Sequence, residues 1–216
     1  MELTRIIAVR HGETAWNADT RIQGQLDIGL NDKGRWQARC VGQALADEEI
    51  HHIYASDLQR AHHTALAIAE QAQHPGARAV KLHPGLRERR FGYFEGQTYA
   101  DIEARWPEES RRWRTRDPHF APGDGETPTQ VMERVGQAVH EIAARHVGEH
   151  IVLVAHGGVL DMIYRLATGQ GVQAPRTWEL GNAAINRLLW SDGELSLVGW
   201  GDVRHLEDRA LDEGTA

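Results

Sequence analysis

Two short apolar stretches of this sequence each end in a histidine that is followed by glycine. Residues 6–9, Ile-Ile-Ala-Val, run into Arg10-His11-Gly12, and residues 151–155, Ile-Val-Leu-Val-Ala, run into His156-Gly157-Gly158. Runs of this length and composition are typical of strands that are buried on both faces of a parallel sheet. One Arg-His-Gly could be a strand end followed by a solvated basic turn, but two such ends in one chain indicate a shared site.

The residue types near these strand ends suit the transfer of a phosphoryl group. Open α/β sheets bind ligands at the carboxyl edge of their strands, so we expect His11 and His156 to lie close together there. Neutral imidazole is a competent nucleophile toward phosphorus. Arg10, Arg60 and the second histidine can stabilise the oxygens of the transferred group, where positioning and charge are the main contributions of a protein. Glu88 can supply a proton to the leaving alcohol and afterwards activate water.

Arg60 and Glu88 reach this edge from other predicted elements. Ser56-Asp57 is expected to cap a helix over about 58–72, whose first turn carries Arg60 toward His11. The positive end of that helix would also favour an anion nearby. Glu88 lies in a loop among arginines, between two glycine-containing turns, and a surface ion-pair loop is the alternative explanation for it.

The elements around these residues predict an α/β fold. Helices over about 32–46, 128–146 and 159–168 alternate with short strands near 53–55 and 80–82, and 182–190 with 195–200 resembles a closing hairpin. This alternation predicts a three-layer α/β/α sandwich with a mostly parallel central sheet. Segment 98–126 is polar and rich in tryptophan and arginine, so we expect a small helical cap within a single domain over 1–216 and a loose tail from about Glu207.

The composition restricts the class of partner. The chain has 216 residues and a formal net charge of −7, which argues against nucleic acid because backbone binding needs a basic face. Its one cysteine, Cys40, cannot form an intramolecular disulfide. The amino terminus has no signal-peptide pattern and no apolar run approaches membrane-spanning length, so we expect a cytoplasmic protein that does not bind membranes.

A metal site is the competing use of histidines, of which there are 13. His51-His52 and His62-His63 are adjacent pairs, and neighbours on a strand or helix point in different directions. Such pairs do not converge on one ion. We therefore predict no catalytic metal.

The motifs, taken in order, resemble the histidine phosphatase superfamily and most closely its phosphoglycerate-mutase-like branch. The matching residues are Arg10-His11-Gly12-Glu13-Thr14 with Asn17, Gln23-Gly24, Ser56-Asp57-Leu58-x-Arg60-Ala61, Leu86-Arg87-Glu88 and His156-Gly157-Gly158. They extend over nearly the whole chain and are jointly specific. The resemblance implies a phosphoglycerate mutase-like fold and a mechanism that needs no metal ion.

The resemblance also implies roles for individual residues. His11 is expected to be the phosphorylated nucleophile and Glu88 the proton donor, while Arg10, Arg60 and His156 are expected to bind the phosphoryl group. Asn17 and Gln23 fall where the family contacts phosphate or substrate. From the loops around the site and from the cap we add further substrate-binding candidates: Arg21, Gly24, Arg87, Arg111, Arg112 and Gly157.

Two related activities fit these motifs. Phosphoglycerate mutases of this type usually have a longer segment after the glutamate and a tail that shields the phosphohistidine. This chain is shorter there, and its Phe91-Gly92-x-x-Glu95-Gly96 and Gly123-Asp124-Gly125-Glu126-Thr127 are similar to phosphatase members. We therefore favour a phosphomonoesterase that acts on a small phosphorylated metabolite without a cofactor.

Other functions stay open at this point. A phosphoglycerate mutase would interconvert 2- and 3-phosphoglycerate and would use 2,3-bisphosphoglycerate. A non-catalytic phospho-ligand-binding module would be expected to lose His11 or Glu88, and both are present. A homodimer is a further expectation.

Overall fold

The computed structural model of the chain describes residues 2–207, which contain one mixed sheet of six strands. The strands are β1 (Thr4–Arg10), β2 (His52–Ala55), β3 (Lys81–Leu82), β4 (His150–Ala155), β5 (Ile185–Ser191) and β6 (Glu194–Asp202). Their order is β3-β2-β4-β1-β5-β6; the first four are parallel, β5 pairs antiparallel with β1, and β6 pairs antiparallel with β5. The predicted α/β fold with a mostly parallel sheet is confirmed.

Seven α-helices lie in the described range. They are α1 (Ala15–Ala18), α2 (Asp32–Ala44), α3 (Gln59–Gln71), α4 (Tyr99–Arg105), α5 (Pro107–Arg114), α6 (Pro128–Ala144) and α7 (Gly157–Thr168). The predicted helices match these bounds to within two residues at each end. Within 2–207, none is long and apolar enough to cross a membrane. The predicted loose tail, apart from Glu207, lies outside the described residues.

The sheet is covered on both faces, which explains why its central strands are apolar throughout. In β1, Ile6 and Ala8 pack into a core that includes the buried stripe of α6, whereas Ile7 and Val9 pack against α2 and α3. Successive side chains of a strand point to opposite faces, so one strand supplies both cores. The result is the predicted three-layer sandwich.

Helix α3 is capped differently from the prediction. Its N-cap is Leu58, which makes no side-chain cap hydrogen bond. The Gln59 amide instead donates to the Asp27 carboxylate at 2.7 Å, and Asp57 is held in an ion pair with Arg87. The loop that carries Asp27 therefore closes the end of the helix that the sequence assigned to Ser56-Asp57.

The segment predicted as a cap contains α4 and α5 and packs around a small apolar cluster. Its Ile102 and Phe120 are buried there, with Trp106 and Trp113 packed against the cluster. Ile22 and Phe94, which precede the segment in sequence, complete the cluster and attach the segment to the rest of the fold. Its treatment as a cap within a single domain stays a prediction.

Candidate active site

The register between β1 and β4 brings the two predicted histidines together. Arg10 lies opposite Ala155, and the His11 amide donates to the Ala155 carbonyl at 3.0 Å. The rings of His11 and His156 are 5.2 Å apart between centroids. Both are buried, with 2% and 0% of their surfaces exposed. The two strand ends therefore deliver one pair of imidazoles to the carboxyl edge of the sheet.

One hydrogen bond determines which nitrogen of His11 can react. Its Nδ1 lies 2.7 Å from the Gly12 carbonyl oxygen, which can only accept, so Nδ1 carries the proton and Nε2 keeps its lone pair. Burial, followed by the charges of Arg60 and Arg10, holds the pKa of His11 well below its ordinary 6.5. His11 is therefore neutral at neutral pH, the form that can attack phosphorus.

Arg60 orients His156 from the first turn of α3. Its Nε donates to His156 Nδ1 at 3.2 Å, while its other nitrogens donate to the carbonyls of Leu26 and Gly24 at 2.8 and 2.7 Å. Burial lowers the pKa of Arg60 to about 10, which leaves it charged at neutral pH. Burial and then Arg60 hold the pKa of His156 well below its ordinary value. His156 therefore keeps its proton on Nε2.

Two buried donors at this point have no partner among the described residues. They are His156 Nε2 and Arg10 Nε. Leaving a buried polar group unpaired costs about 1–3 kcal/mol, so such groups usually await a ligand or water. Two adjacent nitrogen donors without acceptors are suited to an anion.

Glu88 is held by backbone amides. Its Oε2 accepts from the Gly158 amide at 3.0 Å and its Oε1 from the Arg89 amide at 2.7 Å. A Cβ on Gly158 would collide with this carboxylate, so a residue without a side chain is needed at that position. The start of α7 therefore fixes Glu88 beside the histidine pair.

The arginines next to Glu88 in sequence all pair elsewhere. Arg87 binds Asp57 through two hydrogen bonds of 2.7 and 2.6 Å, and Arg90 pairs with Asp124. Arg89 donates to the carbonyls of Glu126 and Phe120 at 2.8 and 3.0 Å. The alternative of a surface ion-pair loop around Glu88 is therefore not what the structure shows.

A cavity of about 590 Å³ opens at this edge. Nine of the predicted site residues line it: Arg10, His11, Asn17, Arg21, Gln23, Gly24, Arg60, Glu88 and Gly157. His156 is not part of the lining and lies against the His11 ring. The structure thus brings ten of the thirteen candidates to one place.

Three predicted substrate-binding residues lie away from the cavity lining, and their role stays a prediction. Arg87 is committed to Asp57, Arg111 pairs with Glu108 at 2.5 Å, and Arg112 pairs with Asp117 at 2.8 Å. On α5 the buried Ser110 and the cavity-lining Trp113 are three residues apart and share a face. Arg111 and Arg112 fall between them; Arg111 is exposed, and Arg112 lies over the Phe120 ring with 4.9 Å to its centroid.

Further residues that the sequence did not single out complete the cavity wall. They are, among others, Tyr99, Trp113, Arg114, Arg116, Asp161 and Arg176. Tyr99 stacks on Trp113 at 5.2 Å between centroids, and Arg116 donates to Asp161 at 3.3 Å. Of these residues, only Asp161 could have been predicted from the sequence to line the cavity, since it lies four residues after Gly157 and therefore on the same helix face.

Asn182 is a further residue that the motifs did not reveal. Its side-chain amide donates to the His11 carbonyl at 2.9 Å and to Asn17 Oδ1 at 3.3 Å. Thr14 donates from its backbone to the same Asn17 oxygen at 3.1 Å and from its hydroxyl to Gln23 at 2.8 Å. These bonds fix the side chains of Asn17 and Gln23 on the cavity wall.

Fold and site together define an α/β enzyme built for phosphoryl transfer by paired histidines and arginines. Comparison with known sequences agrees, since the model of the histidine phosphatase superfamily (branch 1) matches residues 6–203. The chain belongs to this superfamily, as its motifs implied.

Individual relatives cover nearly the whole chain. It is 39% identical over 207 residues to a metal-independent phosphoserine phosphatase of Arabidopsis thaliana, covering 95% of this chain and 84% of that one. It is 36% identical to a probable phosphoglycerate mutase GpmB of Erwinia tasmaniensis, covering 98% and 99%. Among solved structures, YhfR of Bacillus stearothermophilus superposes with a TM-score of 0.87 at 30% identity, covering 94% and 100%.

Proposed function

We propose that this enzyme hydrolyses a small phosphorylated metabolite through a phosphohistidine formed on His11. The observation that carries the proposal is the neutral His11, whose free Nε2 lies among Arg10, Arg60 and the unpaired Nε2–H of His156. A reactive lone pair beside donors for an anion is what phosphoryl transfer to histidine requires.

In the first step His11 Nε2 attacks the phosphorus atom. A P–N bond forms and the P–O bond to the alcohol breaks, while Arg10, Arg60 and His156 hold the oxygens of the transferred group. The departing alkoxide takes a proton from Glu88, which therefore has to be protonated at that moment. The alcohol then leaves and the phosphoryl group stays on His11.

In the second step Glu88, now a carboxylate, removes a proton from water. The hydroxide oxygen attacks phosphorus, the P–N bond breaks, and inorganic phosphate is released from a neutral His11. Exposed side chains at the cavity wall, including Tyr99, Arg114 and Arg176, leave the site open to water. This access favours hydrolysis over return of the phosphoryl group to a second substrate.

The cavity is suited to a substrate with more than one anionic group. Seven arginines line it against two carboxylates, Glu88 and Asp161. Arg176 makes no hydrogen bond or ion pair within the described range and is available to a ligand. Phosphorylated acids, such as the phosphoserine named for the Arabidopsis relative, fit this excess of positive charge.

Phosphoglycerate mutase activity is the second candidate, favoured by the GpmB relatives. A mutase would use the same phosphohistidine and would need 2,3-bisphosphoglycerate. No metal ion is required in either reaction because the arginines carry the phosphoryl charge, in line with the metal-independent Arabidopsis relative. Segment 98–126 is proposed as the substrate-selecting cap, and the cytoplasmic location and the homodimer stay predictions.

The test is phosphate release from a panel of phosphomonoesters, namely sugar phosphates, phosphoglycerates, phosphoserine, ribazole phosphate and p-nitrophenyl phosphate, with and without chelator. We expect release with an acid-labile phosphoprotein intermediate and no loss on chelation. Interconversion of 2- and 3-phosphoglycerate faster than phosphate release would instead establish the mutase. Loss of activity on chelation, restored by one metal, would overturn the mechanism.

A further inference from the structure

Three side chains that can bind a metal meet at the amino ends of the parallel strands, at the opposite edge of the sheet from the reaction cavity. His52 begins β2, whereas His146 and Glu149 lie on the turn that joins α6 to β4. His51, the sequence neighbour of His52, points elsewhere and packs on His74 with 4.9 Å between ring centroids. The ligand set therefore comes from separate chain segments.

The separations between the donor atoms fit a small divalent ion. One nitrogen of each histidine and one Glu149 oxygen all lie within 4.8 Å of one another. His52 Nε2 is 3.4 Å and His146 Nδ1 is 2.6 Å from Glu149 Oε2. Ligands bonded to zinc at about 2.1 Å in a tetrahedron lie about 3.4 Å apart. The separation of His52 Nε2 and Glu149 Oε2 already has this value. We propose that His52, His146 and Glu149 form a Zn²⁺ site.

The surroundings of His146 orient it as a ligand. Its Nε2 lies 2.9 Å from the Tyr54 hydroxyl, so it can donate a proton there while Nδ1 faces Glu149. Such a second partner fixes the tautomer of most histidines that bind metals. Without the ion, the 2.6 Å contact between Nδ1 and Oε2 requires a shared proton, because two lone pairs would repel. When Zn²⁺ binds Nδ1, the single proton of a neutral ring moves to Nε2, where it is donated to the Tyr54 hydroxyl.

Access and ligand type both favour zinc. His146 is buried, whereas His52 and Glu149 are half-buried, so an ion can enter from solvent and a water molecule can complete its shell. Two imidazoles and one carboxylate are a usual donor set for Zn²⁺. The ion would join the start of β2 to the turn before β4, and it would have no part in the chemistry at His11.

Lys81 competes with the ion. Its Nζ lies 3.3 Å from His52 Nδ1, and an ammonium can only donate, so in this arrangement the proton of a neutral His52 sits on Nε2. Binding through Nε2 requires Lys81 to withdraw and Nδ1 to take the proton. Lys81 is exposed, and its Nζ lies over the Tyr54 ring, 5.2 Å from the centroid.

The experiment is a calorimetric titration of the untagged, metal-stripped protein with ZnCl₂, with Co²⁺ absorption as a second readout. We expect one tightly bound first ion and a tetrahedral Co²⁺ spectrum. The same titration of His11→Ala, which breaks the histidine pair of the cavity, should give that first ion unchanged. Absence of a first ion from wild-type protein, or its loss in His11→Ala, would overturn the proposal.

Variants locate the ion. His52→Ala and Glu149→Gln, both at half-buried positions, should each weaken the first ion at least about tenfold and abolish the rise of melting temperature with Zn²⁺. His63→Ala, at an exposed position on α3, is the matched control and should bind as wild type. If His52→Ala or Glu149→Gln binds as tightly as the control, the ligands are misassigned.

The Lys81→Met variant tests the site without removing a ligand. Methionine has an unbranched side chain of similar length and removes the ammonium, so it should tighten Zn²⁺ binding several-fold. Because Lys81 is exposed, folding is not at risk. Unchanged or weaker binding in Lys81→Met would contradict the proposed geometry around His52.

Discussion

At His11 the direction of one hydrogen bond decides what the residue can do. The Gly12 carbonyl accepts a hydrogen bond from Nδ1–H at 2.7 Å, and burial beside two arginines keeps the ring uncharged. His156 has the opposite tautomer because Arg60 donates to its Nδ1. Two histidines 5.2 Å apart thereby have different free nitrogens, as the proposed roles of nucleophile and phosphoryl-group donor require.

His11→Ala should reduce phosphate release by more than about 10³-fold because it removes the atom that attacks phosphorus. The protein should stay folded, since His11 ends a strand whose apolar residues remain in place. Phosphate release from the best substrate of the panel and far-ultraviolet circular dichroism are the measurements. Substantial activity in a folded variant would show that His11 is not the nucleophile.

Glu88→Gln should slow the turnover of alkyl phosphates by about 10²–10⁴, the usual contribution of a general acid. With p-nitrophenyl phosphate, whose leaving group needs little protonation, the phosphorylation step should lose much less. Hydrolysis of the phosphohistidine could then limit turnover, so the burst measured by rapid mixing is the right quantity.

Glu13→Gln is the matched control for this experiment. Glu13 is half-buried, pairs with Lys33 at 2.9 Å, and is not part of the cavity lining. We expect wild-type bursts with both substrates. Equal slowing of the burst for both substrates in Glu88→Gln would exclude Glu88 as the acid, and Asp57 or Glu95 would then be tested.

At the scale of elements, the start of α7 carries two functions in one turn. His156 precedes it, and the Gly158 amide holds Glu88 at 3.0 Å. Because this helix follows β4 directly, the position of Glu88 is tied to the position of the histidine pair. A substitution that disturbs this turn alone should lower activity without lowering the free energy of unfolding.

Gly158→Ala provides that change. The added methyl group would collide with the Glu88 carboxylate, which is the flexible end of a side chain and can move away. Turnover of alkyl phosphates should fall by about 10²-fold or more, as for loss of the acid. The free energy of unfolding should hold or rise by up to about 1 kcal/mol, because alanine favours a helix more than glycine does.

Gly136→Ala in α6 is the matched control. Its methyl group would meet Leu166 at 3.4 Å, an ordinary contact, and the position is outside the reaction cavity. It should gain similar helix stability and keep wild-type turnover. Equal activity of the two variants would mean that Gly158 is not needed to seat Glu88.

The elements show what could be predicted from the sequence. Strands and helices with clear apolar periodicity, such as β1, β4 and α6, were predicted together with the convergence of His11, Arg60 and His156. The binding partners of the side chains in the polar loops were not predicted. Three adjacent arginines flank Glu88, and which anion each one meets depends on distant segments such as the turn at Asp124. Arg116 and Arg176 likewise reach the cavity from loops that have no periodicity.

Considered as a whole, the molecule places its histidines at both edges of the sheet. His11 and His156 lie at the carboxyl edge, whereas His52, His146 and His150 lie at the amino edge. Burial is the largest cause of a lowered pKa for His11, His156, His52 and His150. The folded state therefore holds these imidazoles in the neutral form, and we expect low pH to lower the free energy of unfolding.

The pH dependence of stability tests this. A histidine with a depressed folded pKa stays neutral in the folded state below pH 6.5, while the unfolded chain takes up the proton. Stability is therefore fully present above about pH 6.5 and falls as the pH drops below it. His11 and His156 together should contribute a slope of at most about 2.7 kcal/mol per pH unit, about 1.4 for each, which is approached toward pH 5. Urea unfolding between pH 5 and 6.5 measures this slope.

The His11→Ala variant should lose one half of that contribution, whereas the exposed His63→Ala should keep all of it. Identical slopes in wild type and His11→Ala would show that His11 is not buried as a neutral ring.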